Sequence, residues 1–581
     1  MYHHNYILNQ VNQISTLLLR TVVIIVGLSQ ALYAQVTVTF PTSRFVFQRS
    51  NANRATIYIT GRCPANTTQI QARLSARQGG TSTPWFVLDG APDNGTFQGA
   101  ALDIVGGWYD LDVKAFNGFA EIGAAYVGRV GVGEVFVVSG QSNSWGGSFV
   151  EGQALEDRVS MVLQPNAYYN GPGNFEEHEL TLNAVAATLG AGGQSGMAPA
   201  APVFMWGALG DRLVQRLGVP VMFFGGSHPG SRSTDWFAAA SGEQNVGNGY
   251  YNRNAPYRAL GSAMLHYLKR TGVRAVLWHQ GESDNYYRTR DEYVSQIGFV
   301  INRTRQQSGF SQLGWVVSRV SYLHASFGAE YVNHETDPNI IEAQNILASQ
   351  PNNWPGPATD GLIYPDYRVE DAFHVHFGGQ DCIRLADIWS QTLSDAFFTS
   401  VQPSLPTRPI LLTTGYVFPF VTSPGQSVNV PLLSAVPTRA DNTYEVDLVS
   451  ESGCALATVG SGTGNLIPVT LPSWANGRYR LRVRSTSPAV IGELGEPITV
   501  NGSGAGVPPG YTPGPLTTIR AGRWDDPTIW SCTRLPDASD AVYINHSVTV
   551  PANGLYRAQK VILNAGSKLL YEHNGRLALG Q

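Results

Sequence analysis

Hydrophobic patterning changes regime several times along the chain. Between 35 and 130, apolar and polar positions alternate, as in VTVTF, RATIYITG, IQARLSA and WYDLDVKAF, with turn residues at short intervals. A period of two belongs to strands with one buried face, and the succession predicts an antiparallel β-sandwich over 35–132. From 134 to 400 the strands become continuously apolar: VFVVSG, VPVMFFGG, VRAVLWHQG and LGWVVSRV. Helix-like stretches at 201–218, 259–272, 290–307 and 382–398 lie between or after them. This alternation predicts a parallel sheet covered on both faces, an α/β domain over 133–401. Residues 402–408 (QPSLPTR) read as a linker, and 409–501 return to alternation in SVNVPLL, TYEVDLVS and GRYRLRVRS, a second sandwich. The Gly/Pro-rich run 502–517 reads as a spacer, and 518–581, with short strands and glycine turns, as a β-rich module of solenoid type. The expectation is a multi-domain protein, a central α/β unit flanked by β-sandwiches and a C-terminal β-rich module.

Composition adds a compartment. Charged residues are 14% of the chain, against about 25% in an average protein, while Gly (63) and Pro (34) are abundant. That mixture suits turn-rich extracellular β domains. The net charge is −4 and no basic run occurs, which excludes nucleic acid as a partner. Residues 1–34 read as a signal peptide: Arg20, the apolar run TVVIIVGL (21–28), then small residues to Ala34, leaving Gln35 after cleavage. The run is too short for a comfortable membrane span, so the expectation is a secreted or cell-surface protein with no membrane insertion after cleavage. The four cysteines, Cys63, Cys382, Cys454 and Cys532, fall in four different modules, which argues against a disulfide framework. Cys382 lies in a helical stretch, where packing is the expected role. No CxxC or HExxH cluster occurs, so no metal and no cofactor are expected.

The candidate chemistry collects where apolar strands stop. In open parallel sheets, ligands bind at the carboxyl ends of the strands. Ser142 in Gly140-Gln141-Ser142-Asn143 ends the first such strand, the GGSHPG loop (225–230) ends the second, and His279-Gln280-Gly281-Glu282-Ser283-Asp284 ends the third. An exposed hydroxyl beside backbone N–H groups is what a serine nucleophile needs. Donors for an oxyanion are expected from the 225–230 loop and from the Gln280 side chain. The base and its orienting acid are expected in Arg368-Val369-Glu370-Asp371-Ala372-Phe373-His374-Val375-His376, just before the last helix. Two histidines two residues apart face opposite sides of an extended segment, so one of them reaches Ser142. His228, His266, His279 and His324 read as packing or surface residues, with His279 close to a pocket. Trp145, Trp236, Tyr286 and Tyr287 adjoin the motifs and are either sugar-stacking or packing residues.

The set GQSN (140–143), Trp278-His279-Gln280-Gly281-Glu282-Ser283-Asp284 and the final HF…LADIW resembles the sialate O-acetylesterase-type family. That family sits within the SGNH (GDSL-like) hydrolases and includes the acetylxylan esterases of carbohydrate esterase family 6. The resemblance spans about 134–400 and implies a three-layer, flavodoxin-like α/β fold that deacetylates carbohydrates through an acyl-enzyme. It implies Ser142 as nucleophile, Gly230 and Gln280 as oxyanion donors, and Glu282 as a group that assists the histidine or supports the loop. Counting three residues from Asp371 selects His374 as base; counting back from Leu385, Ala386 and Trp389 selects His376, which the helix register favours. The reading is a secreted serine esterase acting on an acetylated glycan. The alternatives are an inactive glycan-binding surface protein or an esterase for other acyl esters.

Overall fold

In the computed structural model, residues 36–580 are described except 94, 147–151, 165–174, 188–195, 325–334, 372, 408–411, 452, 512–514, 533 and 553. The expected signal peptide, 1–34, lies outside the described residues. Among the described residues, no helix is long and apolar enough to cross a membrane.

One strand organises the first two-thirds of the chain. Ala120–Gly140 runs for 21 residues. Its first half pairs antiparallel with Gly107–Asn117, from Asn117↔Ala120 to Gly107↔Val132, with register shifts between Ala115 and Phe116 and between Tyr109 and Leu111. Its second half is a central strand of a parallel sheet, between Val221–Gly226 and Ala275–His279. The border placed between 132 and 133 therefore falls inside a single strand, and the N-terminal and central sheets are one hydrogen-bonded surface of 13 strands. A buried ion pair locks the junction. Glu134 is fully buried and takes two bonds from Arg274 (2.8 and 2.9 Å), one from Arg49 (2.8 Å) and one from Gln48 (2.9 Å). Burial alone would raise the Glu134 carboxyl; the guanidinium groups reverse that and hold it below the ordinary carboxylate range.

The parallel part reads, in spatial order, Val159–Gln164, Val221–Gly226, Ala120–Gly140, Ala275–His279, Gly314–Arg319 and Asn353–Ala358. The middle strands are continuously apolar, at Val135–Val138, Val221–Phe224 and Ala275–Trp278, because both faces are covered. Val135 and Val137 join one apolar cluster with Leu260, Ile297 and Leu347, whereas Phe136 and Val138 join another with Leu209, Leu213 and Leu385. Two of the helical stretches are shorter than their patterns suggest. The 201–218 stretch is helical only as Trp206–Leu217, because Ala201 instead bridges to Met197. The 382–398 stretch is Gln380–Thr392 and Asp395–Ser400, broken at Leu393. Arg290–Ser308 begins at a capping box, with Thr289 Oγ1 accepting from the Glu292 N–H and Gly309 closing the helix at φ +75°.

Residues 412–500 form one eight-stranded sheet around their own core. Among the described residues, the strands from 516 onward pair in parallel: Leu516–Thr517 with Ala541–Ile544 with Lys560–Leu563, Gly522–Arg523 with Val548–Val550 with Leu569–Tyr571, and Leu555–Ala558 with Arg576–Leu579, with one isolated antiparallel bridge at Thr518↔Trp530. Trp524 and Trp530 are buried between these coils. Leu516 and Thr517, assigned to the spacer from composition, are in fact the first strand of this module, because they pair with Val542 and Tyr543. The cysteine expectation is also corrected. Cys454 and Cys532 are disulfide-bonded across 78 positions, their Cα atoms 4.2 Å apart, which staples the coils to the eight-stranded sheet. Distance along the chain concealed a contact that the fold creates. Cys63 and Cys382 are free and buried.

Candidate active site

Three strand ends and one irregular loop build the site. The central strand stops at Gly140, φ +135°, where a Cβ atom would lie 2.0 Å from the His279 carbonyl oxygen. Only glycine lets the neighbouring strand end come so near. The chain then makes a single helical turn, Ser142–Trp145, with Ser142 at its first position. Gln141 ties this turn to the next strand end, its Oε1 accepting from the Gly281 N–H at 3.2 Å and the Ser283 N–H at 3.1 Å.

Ser142, Gly230, Glu282 and His376 line one cavity of about 560 Å³. Tyr287, Leu323, Phe373, Val375 and Pro229 form its less polar walls. Gly230 adopts φ +69°, a conformation that favours glycine. Neither the Ser142 N–H nor the Gly230 N–H has an acceptor among the described residues.

Asp371 stands behind His376, Oδ2 to Nδ1 at 2.6 Å. Burial would raise the Asp371 carboxyl, but the Phe373 N–H (2.9 Å) and the His376 ring more than compensate, and it is held below its usual range. His374 goes elsewhere. Its ring lies 3.9 Å from the Tyr364 ring and 5.3 Å from that of His324, and it does not line the cavity. The expected reason, alternation in an extended segment, does not hold. The segment turns, with His374 at φ +47° and its N–H directed to the Asp371 carbonyl at 3.4 Å.

Gln280 does not line this cavity. It is fully buried, its Nε2 donates to the Ser231 carbonyl (3.2 Å) and to Asp284 Oδ2 (2.5 Å), and its Oε1 accepts from the Tyr293 hydroxyl at 2.9 Å. Both amide hydrogens are committed, so the amide braces the loop from behind. Glu282 faces the cavity, yet its Oε1 is held by Asn143 Nδ2 at 2.9 Å and lies 3.3 Å from His279 Nε2. Burial alone would raise its carboxyl; contact with His279 and Asn143 wins and brings it down to about 2. His279 is buried outside the cavity lining. Of the aromatic candidates, Trp236 is core, its Nε1 donating to Ser231 Oγ at 2.8 Å, and Trp145 packs on the second apolar cluster. Tyr287 lines the cavity and Tyr286 does not.

Sequence reasoning passed over two positioning residues that stand inside the motifs it quoted. Asn143 links all parts of the site: it donates to Glu282 and to the Val375 carbonyl (3.0 Å), and accepts from the Phe377 N–H at 3.2 Å. The histidine loop thus hangs from the residue after Ser142. Arg368 holds the same loop from the other side. It donates to the carbonyls of Leu362 (2.6 Å), Thr359 (3.1 Å) and Val375, and lies over the Tyr322 and Phe377 rings. A buried Asn next to a nucleophile, and an Arg opening the base segment, were the available signals. Among the described residues, no group of three or more His, Cys, Asp and Glu could hold a metal ion.

Residues 132–353 match the family model described as carbohydrate esterase, sialic acid-specific acetylesterase. This stretch is a carbohydrate-esterase domain of the sialate O-acetylesterase type. It gives the chain the class of a carboxylic ester hydrolase. The matched part of the esterase domain contains Ser142, Gly230, Gln280 and Glu282 and ends before Asp371, His374 and His376. No curated protein matches the chain. Solved structures similar to it include a carbohydrate acetylesterase from Xanthomonas citri, at 15% identity over 77% of this chain and 93% of that one with a TM-score of 0.39. An Arabidopsis thaliana protein is 14% identical over 46% of this chain and 98% of its own, with a TM-score of 0.28.

Proposed function

We propose that the protein is an exported serine esterase that removes O-acetyl groups from carbohydrates through an acyl-enzyme, on a three-layer α/β unit. The observation that carries this reading is that Ser142 and His376 line one cavity, with Asp371 on the far nitrogen of the imidazole. A carboxylate at Nδ1 keeps the proton there and leaves the Nε2 lone pair for the serine hydroxyl. Ser142 Oγ attacks the acetyl carbonyl as His376 takes its proton. The free N–H groups of Ser142 and Gly230 receive the tetrahedral oxyanion. With the Gln280 amide committed to Ser231 and Asp284, the oxyanion is left to backbone donors alone. The imidazolium then protonates the departing sugar oxygen. In the second half, His376 deprotonates a water that attacks the acetyl-serine, and the imidazolium returns that proton to Ser142 Oγ as the bond to the acetyl group breaks and acetate leaves. Export is supported by the apolar N-terminal run and by the Cys454–Cys532 bridge, a bond that persists in oxidising compartments.

Acetate release from an acetylated xylan and from p-nitrophenyl acetate tests the reading. Ser142→Ala lowers the rate at least about 1,000-fold with circular dichroism unchanged. Wild-type turnover by a well-folded Ser142→Ala protein sinks it, as does glycan binding by the wild type without any acetate release.

A further inference from the structure

A second cavity, of about 550 Å³, lies between the esterase domain and the eight-stranded sheet of 412–500. It shares no lining residue with the cavity of Ser142. The helix Arg290–Ser308 gives it Phe299 and Arg303, and the sheet gives it Phe420, Arg478, Arg480 and Glu496. Arg478 and Arg480 are two positions apart on the strand Gly477–Thr486, so both side chains leave the same face. The charge of this space is not balanced. Glu496 is committed on both oxygens: Oε2 accepts from Arg303, and Oε1 accepts from Gln307 Nε2 at 2.9 Å. Gln307 is itself fixed, its Oε1 accepting from the Tyr257 hydroxyl and its Nε2 donating to the Tyr416 hydroxyl, each at 2.8 Å. Arg480 has one contact, Nη1 to the Gly495 carbonyl at 2.8 Å, and makes no ion pair among the described residues. Arg478 has only Glu451, 3.7 Å away at the surface. Burial holds the Arg480 guanidinium below its ordinary range; Glu496 opposes this, and the like charges of Arg303 and Arg478 add to it. Other buried arginines are answered by their surroundings: Arg274 makes a two-pronged pair with Glu134, and Arg368 donates to three carbonyls.

We infer that this interdomain cavity is a binding site, separate from catalysis, for a sugar that carries a sulfate or phosphate ester. Three guanidinium groups arrive from two walls, one from the helix and two from the sheet. A tetrahedral ester has three free oxygens and can accept from several directions at once, whereas a planar carboxylate is satisfied by a single fork. Phe299, 39% exposed, and Phe420, one face of which is stacked on Phe418 at 4.9 Å, supply apolar wall against which a sugar ring can lie. A volume of this size at the meeting of two domains, apolar at the wall and with a few convergent polar groups, has the character of a small-molecule site. Because Arg303 belongs to one unit and Arg480 to the other, an anion held by both also fastens the sheet to the esterase domain.

The test is calorimetric titration of the full chain with four probes that carry no acetyl ester. They are methyl glucoside with a sulfate ester on its primary hydroxyl, the same glucoside with a phosphate ester there, unmodified methyl glucoside, and inorganic sulfate. At least one of the two esters is expected to bind about tenfold or more tighter than the unmodified sugar and than inorganic sulfate, the better of the two naming the group. Arg480→Gln weakens that binding about tenfold to a hundredfold, the scale of one charged hydrogen-bonded contact. Arg478→Gln, at the surface, weakens it less. Both variants keep the wild-type rate on p-nitrophenyl acetate, since neither residue lines the cavity of Ser142. The assignment is overturned if neither ester binds, if the unmodified sugar or inorganic sulfate binds as tightly as the esters, or if Arg480→Gln binds like the wild type. Should Arg480→Gln fail to fold, Arg478→Gln decides: a weaker ester affinity supports the site, and an unchanged one overturns it.

Discussion

The Asp371 carboxylate lies 2.6 Å from the outer nitrogen of His376, and His376, not His374, opens onto the cavity of Ser142. The nearer histidine in sequence is instead packed between Tyr364 and His324. The two rings are therefore expected to separate in kinetics. His376→Ala lowers kcat about 100-fold to 10,000-fold, the usual worth of a general base, and Asp371→Asn falls in the same range. His374→Ala changes kcat less than tenfold. Acetate release by purified variants checks this, and a reversed order moves the base to His374.

Asn143 has no part in bond making, yet it connects the serine turn to Glu282 and to the loop of His376. Asn143→Ala leaves the Glu282 oxygen, the Val375 carbonyl and the Phe377 N–H short of partners in a buried place. Each such loss costs about 1–3 kcal/mol. The expected outcome is a lower melting temperature for the esterase domain in calorimetry and a fall in kcat that exceeds any rise in KM. A variant that loses stability and keeps kcat shows that Asn143 supports the fold without setting the position of the base.

Glu282 makes the acid stability of the domain dependent on pH in a defined direction. Its carboxyl is brought from 4.5 in the unfolded chain to about 2 in the fold. A lowered carboxyl contributes stability that is complete above about pH 4.5 and is lost as pH falls toward 2. Calorimetry of wild type and Glu282→Gln at pH 6, 4 and 2.5 is expected to show a melting-temperature difference that shrinks on acidification. A difference that stays constant shows that Glu282 is not ionised in the folded protein.

The Cys454–Cys532 bridge joins the eight-stranded sheet to the terminal coils. Removing a bridge of this span typically costs about 2–4 kcal/mol. In the double variant Cys454→Ser, Cys532→Ser, the transition of the C-terminal module is expected at lower temperature, with esterase activity unchanged because the bridge does not touch the cavity. Limited proteolysis within 502–515 is expected to quicken in the same variant.

Strand existence was legible for the longest apolar runs of the sheet, whereas the buried strand Val159–Gln164, with Ser160 and Gln164 in it, was passed over. VFVVSG, VPVMFFGG and VRAVLWHQG are continuous apolar runs because helices cover both sides of them. The strand Asn353–Ala358 was not legible, since NWPGPA reads as a turn; its prolines are tolerated because it ends the row of paired strands. The long strand Ala120–Gly140 hid a domain border, because the border lies in what each half pairs with and not in the residues themselves.

For the site, the chain by itself determined the chemical inventory: a serine after an apolar strand, a glycine loop, a carboxylate and two histidines ahead of the last helix. Those follow from local pattern, since strand ends and turn residues announce themselves over a few positions. Tertiary structure alone decided which of these meet. The turn at Asp371–His374 sends one ring to the cavity and the other to Tyr364, hydrogen bonding turns the Gln280 amide away from the reacting space, and Asn143 fastens together segments more than two hundred positions apart. Such choices rest on packing and on the partnering of buried polar groups, both of which depend on residues remote in sequence.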